Sequence, residues 1–296
     1  MRALLQHPAL RWLRRLRRTY LDRAYRRQRL VPVVHGAFSI AAPKDHILVR
    51  ILATQPQRDL CIGIAAKFLS QKYPDASMID VGANIGDTAA VIATYAANPL
   101  ILVEGSDYFF EILKVNARQF RNPIRLEHAM IATGEVISGG LRHWGGTAEF
   151  DEDPNASTKF TSRRLADIAD GRTCFVKSDT DGYDFKILLS SVDWLARARP
   201  GVLFESQIRT DADLAEADHL CDALEAAGYT HWIVWDDTGL YMLATTSIVT
   251  IKELNRYLLT IWRGNGRRSI WNFDILCLHG QDGDVFEQVR TWFEQA

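Results

Sequence analysis

From residue 77 onward, apolar runs of four or five residues alternate with longer stretches whose apolar positions recur every three or four residues. Residues 78–81, 100–103 (ending at Glu104), 125–131, 174–177 and 201–204 read as strands. Between them, 86–97, 107–120, 184–197 and 212–227 read as helices, the last stopped by Gly228. Thr161 or Ser162 caps a short helix running to Asp170, and 43–68 reads as helical before a Pro74-Asp75 turn. Past Gly228 the pattern predicts strands at 231–235 and 240–244, a helix at 251–262, a strand at 273–278 and a closing helix at 285–293. The glycine-rich stretch 134–154 reads as irregular. Such strand–helix alternation implies an α/β fold, a parallel sheet with helices on both faces, and ligands at the carboxyl ends of its strands.

The first 30 residues follow another rule. Leu10, Leu13, Leu16, Tyr20 and Ala24 recur at helical spacing, with Trp12, Leu21 and Tyr25 beside them and arginines opposite. This basic amphipathic helix suits an anionic membrane surface, and equally a helix packed on its own body or on a second copy in a homo-oligomer. Residues 1–30 hold ten arginines and one acid, leaving 25 basic and 35 acidic side chains for the rest, although the formal net charge is only −1. An acidic body repels phosphate and the arm carries no recognised module, so nucleic acid is not expected as a partner. The organisation expected is an extension over 1–42 and one domain over 43–296, with its core at 77–228 and an inserted helix at about 250–263.

Cys61, Cys174, Cys221 and Cys277 are far apart and lie in apolar surroundings, which predicts buried free thiols in a reducing compartment. With no run of transmembrane length and no apolar signal core, the chain reads as cytoplasmic, with the arm as its link to the inner face of a membrane.

Three stretches carry chemistry. In the first, MIDVGANIGDT, a strand delivers Asp80 and then Gly82, Asn84 and Gly86 before a helix begins. Glycines there free backbone N–H groups and permit close approach, and Glu104, 18 residues after Gly86, is placed to accept ribose hydroxyls. A dinucleotide fingerprint wants G-x-G-x-x-G. Here the pattern is D-x-G-x-N-x-G, and Asp80 repels a pyrophosphate while suiting an ammonium group, as in S-adenosylmethionine. In the second, FVKSDTDGYDF, Lys177, Asp179 and Asp181 crowd a strand end, the candidate catalytic group, with Asp181 as base and the other two orienting it. The third, PGVLFESQ, brings Glu205 to the same edge. Asp179, Asp181 and Glu205 can hold a hard divalent ion, but no further metal motif follows, so metal is not favoured. His128 at a strand end can edge the cofactor, and His143 and Trp144 in the glycine-rich stretch can meet an acceptor, the tryptophan by stacking on a sugar. His231, Trp232 and Trp235 read as core.

The collinear set D-V-G-A-N-I-G-D-T, V-E-G-S, L-K-V-N, G-G-T-A-E-F, V-K-S-D-T-D-G-Y-D and P-G-V-L-F-E, spanning about 77–228, resembles the FkbM-type S-adenosylmethionine-dependent methyltransferases. Asp181 stands where that family usually has glutamate, and Gly105 where it usually has proline. The resemblance implies a class I methyltransferase fold, Rossmann-like with a mostly parallel seven-stranded sheet, and an oxygen acceptor on a glycan, glycolipid or related small molecule. Two other functions compete. An NAD-dependent sugar oxidoreductase lacks its Tyr-x-x-x-Lys pair, Tyr183 and Lys186 being one residue too close, and a non-catalytic nucleotide-binding scaffold has no need of the intact acids.

Overall fold

The computed structural model describes residues 22–153, 156–170, 172–264 and 270–295. Most of the basic arm therefore lies outside the described residues. Its end, 22–26, is helical, and Tyr25 is buried.

The central sheet has eight strands, the number read from the pattern and one more than the resemblance implies, in the order β12-β11-β13-β10-β9-β3-β4-β5. These are β3 (Ser77–Val81), β4 (Leu100–Glu104), β5 (Ile124–His128), β9 (Thr173–Ser178), β10 (Gly201–Ser206), β11 (Tyr229–Asp236), β12 (Tyr241–Thr245) and β13 (Phe273–His279). Strands β5, β4, β3, β9 and β10 are parallel, while β13 runs antiparallel to both β10 and β11. The additional strand β12 pairs antiparallel to β11 at the edge. From β3 the chain winds outward through β4 to β5, then returns to the other side of β3 with β9. That reversal is the point where an open α/β sheet leaves a crevice outside its strand ends.

Both faces of the sheet are covered. Met78, Leu203, Leu276 and Trp235 pack with the helices Leu60–Lys72 and Gly283–Gln295. Ile79, Val176, Phe204 and Ile275 pack with the helix Asp211–Ala226 on the other face. Burial on both sides explains why the central strands read as unbroken apolar runs. Trp232 and Trp235 are core residues as expected, and all four cysteines are buried and free.

Several local expectations are corrected. The helix expected over 43–68 is two, Ile47–Thr54 and Leu60–Lys72, because Asp59 takes a left-handed conformation (φ 65°) between them. The third strand ends at His128 rather than 131. The helix expected over 184–197 is broken at Ser190 and Ser191 into Asp184–Leu189 and Val192–Ala198. Upstream, β1 (Leu30–His35) and β2 (Phe38–Pro43) form a hairpin that the sequence reading did not identify, and it places Ile40 and Ala42 in the core.

The largest difference is in the glycine-rich stretch, whose described residues 134–153 are ordered. Strands β6 (Val136–Trp144) and β7 (Thr147–Glu152) form an antiparallel hairpin, joined by β8 (Lys159–Thr161) in a separate three-stranded sheet. Its glycines concealed it. A Cβ on Gly139 would sit 2.2 Å from the Asp151 carbonyl oxygen, so glycine there permits the close approach of β7 rather than marking a loop.

Candidate functional site

The cleft lies at the carboxyl ends of β3, β4 and β9, roofed by the β6–β7 hairpin. Gly82, Asn84, Glu104, Asp179 and Asp181 line it together, with Phe109, Met130 and Ile131 as apolar wall and Thr147 and Phe150 from the hairpin. Five of the residues singled out from sequence are thus brought to one place.

Its floor is set by a buried ion pair. Asp80 and Lys177 are register partners on β3 and β9, and Lys177 Nζ lies 3.2 Å from Asp80 Oδ1 with both side chains inaccessible to solvent. Thr88 Oγ1 donates to Asp80 Oδ2 at 2.6 Å. Lys177 Nζ also donates to the Gly82 carbonyl at 3.4 Å and lies 3.8 Å from Asp179. Burial alone would lower the Lys177 pKa, but the charges of Asp80, Asp179 and Asp87 outweigh it and hold the ammonium above the usual lysine range. Asp80 and Lys177 therefore lie behind the cleft wall, spent on each other, and Asp80 does not offer a free charge to a ligand.

Above this pair the chain makes its glycine turn. Gly82 has φ 76°, and a Cβ there would meet the Asp179 carbonyl oxygen at 2.0 Å, so β9 can close against the turn only at a glycine. Asn84 follows with φ 50°, and Gly86 with φ 88° precedes the helix Asp87–Tyr95. Asn84 fastens three parts of the site. Its N–H donates to Glu104 Oε2 at 2.8 Å, its Nδ2 donates to the Gly146 carbonyl at 2.7 Å, and its Oδ1 lies 3.4 Å from His46 Nε2. The hairpin tip is tied through it to the turn.

Glu104 ends β4 with Oε1 accepting the Ser106 N–H at 2.7 Å. Burial drives its pKa up to about 7, even though the Ser106 and Asn84 N–H groups pull it down. Each carboxylate oxygen holds one backbone donor and retains a lone pair for another. Across the cleft, Asp181 sits in a left-handed conformation (φ 53°) and accepts from Thr147 Oγ1, joining β9 to the hairpin. Although its side chain is exposed, partial desolvation and then the charge of Asp179 raise the Asp181 pKa.

The remaining candidates lie elsewhere. His128 is exposed, stacked on Phe110 with ring centroids 4.6 Å apart, and faces an adjoining hollow rather than the cleft. His143 borders that hollow but is buried, its ring nitrogens engaged by Asp22 and Ser106. Trp144 stands 58% exposed at the hairpin tip. Glu205 is not on the cleft wall. It pairs with Asp274 across β10 and β13, its buried Oε2 has no hydrogen-bond partner among the described residues, and burial with several carboxylate neighbours raises its pKa strongly. Among the described residues, Asp179, Asp181 and Glu205 do not come together as metal ligands, nor does any other group of three or more His, Cys, Asp or Glu. Sequence reading missed Ser106, Phe109, Met130, Thr147 and Phe150. Of these, Ser106 carried a local signal, a serine just ahead of a helical pattern, where a cap is expected, and Thr147 and Phe150 lay in the G-G-T-A-E-F motif without being singled out.

A mostly parallel sheet with this strand order, an antiparallel strand inserted beside the last parallel one, and a cleft at the reversal define a class I methyltransferase fold. No family model and no curated protein matches the chain. Solved structures with similar folds include a methyltransferase FkbM from Methylobacillus flagellatus KT, 14% identical with a TM-score of 0.37, covering 69% of this chain. The chain spans only 43% of that protein. The plantazolicin methyltransferase BamL, solved with a triazolic desmethylPZN analogue and SAH, is 10% identical with a TM-score of 0.43, covering 79% of this chain and 89% of its own. The bifunctional kinase-methyltransferase WbdD is 10% identical with a TM-score of 0.42, covering 75% of this chain and 39% of its own. At such identities and TM-scores the fold rests on the strand order and pairing of this chain, and the chemistry has to be read from its own residues.

If the buried pair organises the cleft, removing one partner strands a charge. Lys177→Met should cost about 3–5 kcal/mol of stability in urea unfolding, and Asp80→Asn/Lys177→Met should recover part of it. A single variant as stable as the parent would show that the pair is dispensable.

Proposed function

We propose that the protein is an S-adenosylmethionine-dependent methyltransferase that methylates a hydroxyl of a glycan, glycolipid or related small molecule. The observation that carries the reading is the buried Glu104 carboxylate at the end of β4, facing the same cleft as the glycine turn at the sheet's reversal. An acid so placed accepts hydrogen bonds from ribose hydroxyls. Val103, Phe109, Met130 and Ile131 supply an apolar wall for an adenine ring. Gly82 and Asn84 would hold the amino-acid end, and Gly86 would start the helix beneath it. When bound, the cofactor supplies an electrophilic methyl group.

This chain's part is orientation and proton removal. Asp181, with its pKa raised and its carboxylate steadied by Thr147, is the base for the acceptor hydroxyl. Asp179, half-exposed beside it, orients the acceptor, and Lys177 acts from behind by fixing Gly82 and Asp179. The hairpin roof would hold the acceptor in line with the methyl group. Trp144, exposed at the tip of that roof, is the stacking platform for a sugar, a role its buried neighbour His143 is too enclosed to share.

We also assign the arginine-rich arm to an anionic membrane surface, which would place the enzyme near lipid-linked acceptors. No helix among the described residues is long and apolar enough to cross a membrane; with ten arginines in residues 1–30, contact through the arm would lie on the surface. Deleting residues 1–21 should abolish co-sedimentation with phosphatidylserine vesicles at low salt, and undiminished binding would remove the arm from this role.

The cofactor role of Glu104 has a pH signature. Ribose hydroxyls donate to a carboxylate, so binding favours the ionised form. Affinity for S-adenosylhomocysteine should then be full above pH 7 and fall as the pH drops through about 7 and the group takes up its proton. Glu104→Gln should bind more weakly at pH 8 and lose that dependence. Parallel pH profiles for parent and variant, measured by calorimetry, would refute the ribose role.

A further inference from the structure

Three residues from distant parts of the chain form one hydrogen-bonded line. Asp22 Oδ1 lies 2.7 Å from His143 Nδ1 and accepts the His143 backbone N–H at 3.0 Å. On the far side of the ring, His143 Nε2 lies 2.6 Å from Ser106 Oγ. Carboxylate, imidazole and hydroxyl stand here in the order of a hydrolytic triad. Yet Ser106 is fully buried, and its Oγ already accepts the Phe109 N–H at 3.3 Å as the cap of the helix Asp107–Asn116. A hydroxyl so enclosed cannot reach an acyl group, and its N–H is committed to Glu104 rather than to an oxyanion.

Its position gives the line different work. Ser106 and Phe109 both line the cleft, and Ser106 holds Glu104 through its N–H. The arm's end is docked to the same helix start at two further points. Arg26 Nη2 donates to Asp107 Oδ2 at 2.8 Å, and the buried Tyr25 packs edge-on against Tyr108 and Phe109, with centroids 6.0 and 6.4 Å away. Asp22, Tyr25 and Arg26 thus share a face of the helical residues 22–26 and engage the segment 106–109, whose other side is the wall of the cleft.

We propose that Asp22 and His143 are positioning residues for the cofactor cleft, and that docking of residues 22–26 is energetically linked to its occupation. The inference rests on the methyltransferase reading above and adds that the arm reports on the bound state. With Asp22 in place, His143 is fixed in ring orientation and Ser106 Oγ is held, which sets the backbone that presents Glu104. Linkage is reciprocal, so whatever the docked arm contributes to cofactor affinity, the cofactor returns to arm docking. A surface or partner that pulled the arm away would then weaken cofactor binding.

Two measurements on the full chain test this. First, Asp22→Ala and His143→Gln should each raise the Kd for S-adenosylhomocysteine by about tenfold, within the ~5–150-fold typical of coupled sites. Second, saturating S-adenosylhomocysteine should slow tryptic cleavage after Arg26 and Arg27 of the unaltered protein more than cleavage after Arg256, on the remote helix Ile248–Arg263. Protection confined to the arm is a signature that general stabilisation does not give. If the unaltered protein fails to bind S-adenosylhomocysteine, the cofactor reading itself falls and takes this inference with it. If it binds, but the variants bind equally well and the arm is protected no more than Arg256, the linkage is refuted while the cofactor reading stands.

Discussion

The Asp80–Lys177 pair is the constraint on which the site depends. Two opposite charges sit side by side on β3 and β9, out of contact with water, at the point where the sheet reverses its winding. Each ion alone would carry a desolvation cost of several kcal/mol, so neither strand can take up its place without the other. The pair thereby fixes the register of β9 against β3, and with it the packing of the Asp179 carbonyl onto Gly82. From that contact follow the left-handed turn, the placing of Asn84, and the hydrogen bond by which Asn84 presents Glu104.

Charge inside the cleft is correspondingly ordered. The ammonium lies beneath, neutralised; the acids that face the ligand space are Glu104 on one side and Asp179 and Asp181 on the other. Glu104 and Asp181 are both pushed toward protonation by their surroundings, while each keeps donors that can steady the ionised form, Asn84 and Ser106 for one and Thr147 for the other. On the proposed reading, two acids with similar chemistry would serve different ends by position: one at the end of β4 to hold the cofactor, one after β9 to accept a proton.

The parallel strands were legible because they are buried on both faces and their ends are punctuated by acids and glycines. Gly82, Asn84, Glu104, Asp179 and Asp181 were recognisable together for the same reason, since charged groups at the ends of apolar runs have to meet something. What was not legible depended on tertiary contact. Nothing in the order of residues shows that Asp80 will be matched by Lys177, 97 positions later, and so withdrawn from the ligand. The hairpin of β6 and β7 was hidden because Gly139 serves close strand approach and Gly145 and Gly146 serve its turn, while local reading counts all three as loop. His143 was assigned to an acceptor because it lies in the glycine-rich stretch beside Trp144, whereas its ring points to Asp22, in a segment whose composition suited a membrane surface as well as packing on the body.

The account stands or falls on which nucleotide the cleft takes. The most direct measurement is calorimetric titration of the purified protein at pH 8 with S-adenosylhomocysteine and, separately, with NAD. The geometry around Glu104 and the glycine turn predicts a one-to-one, micromolar complex with the first and none with the second. Binding of NAD alone, or of neither, would contradict it.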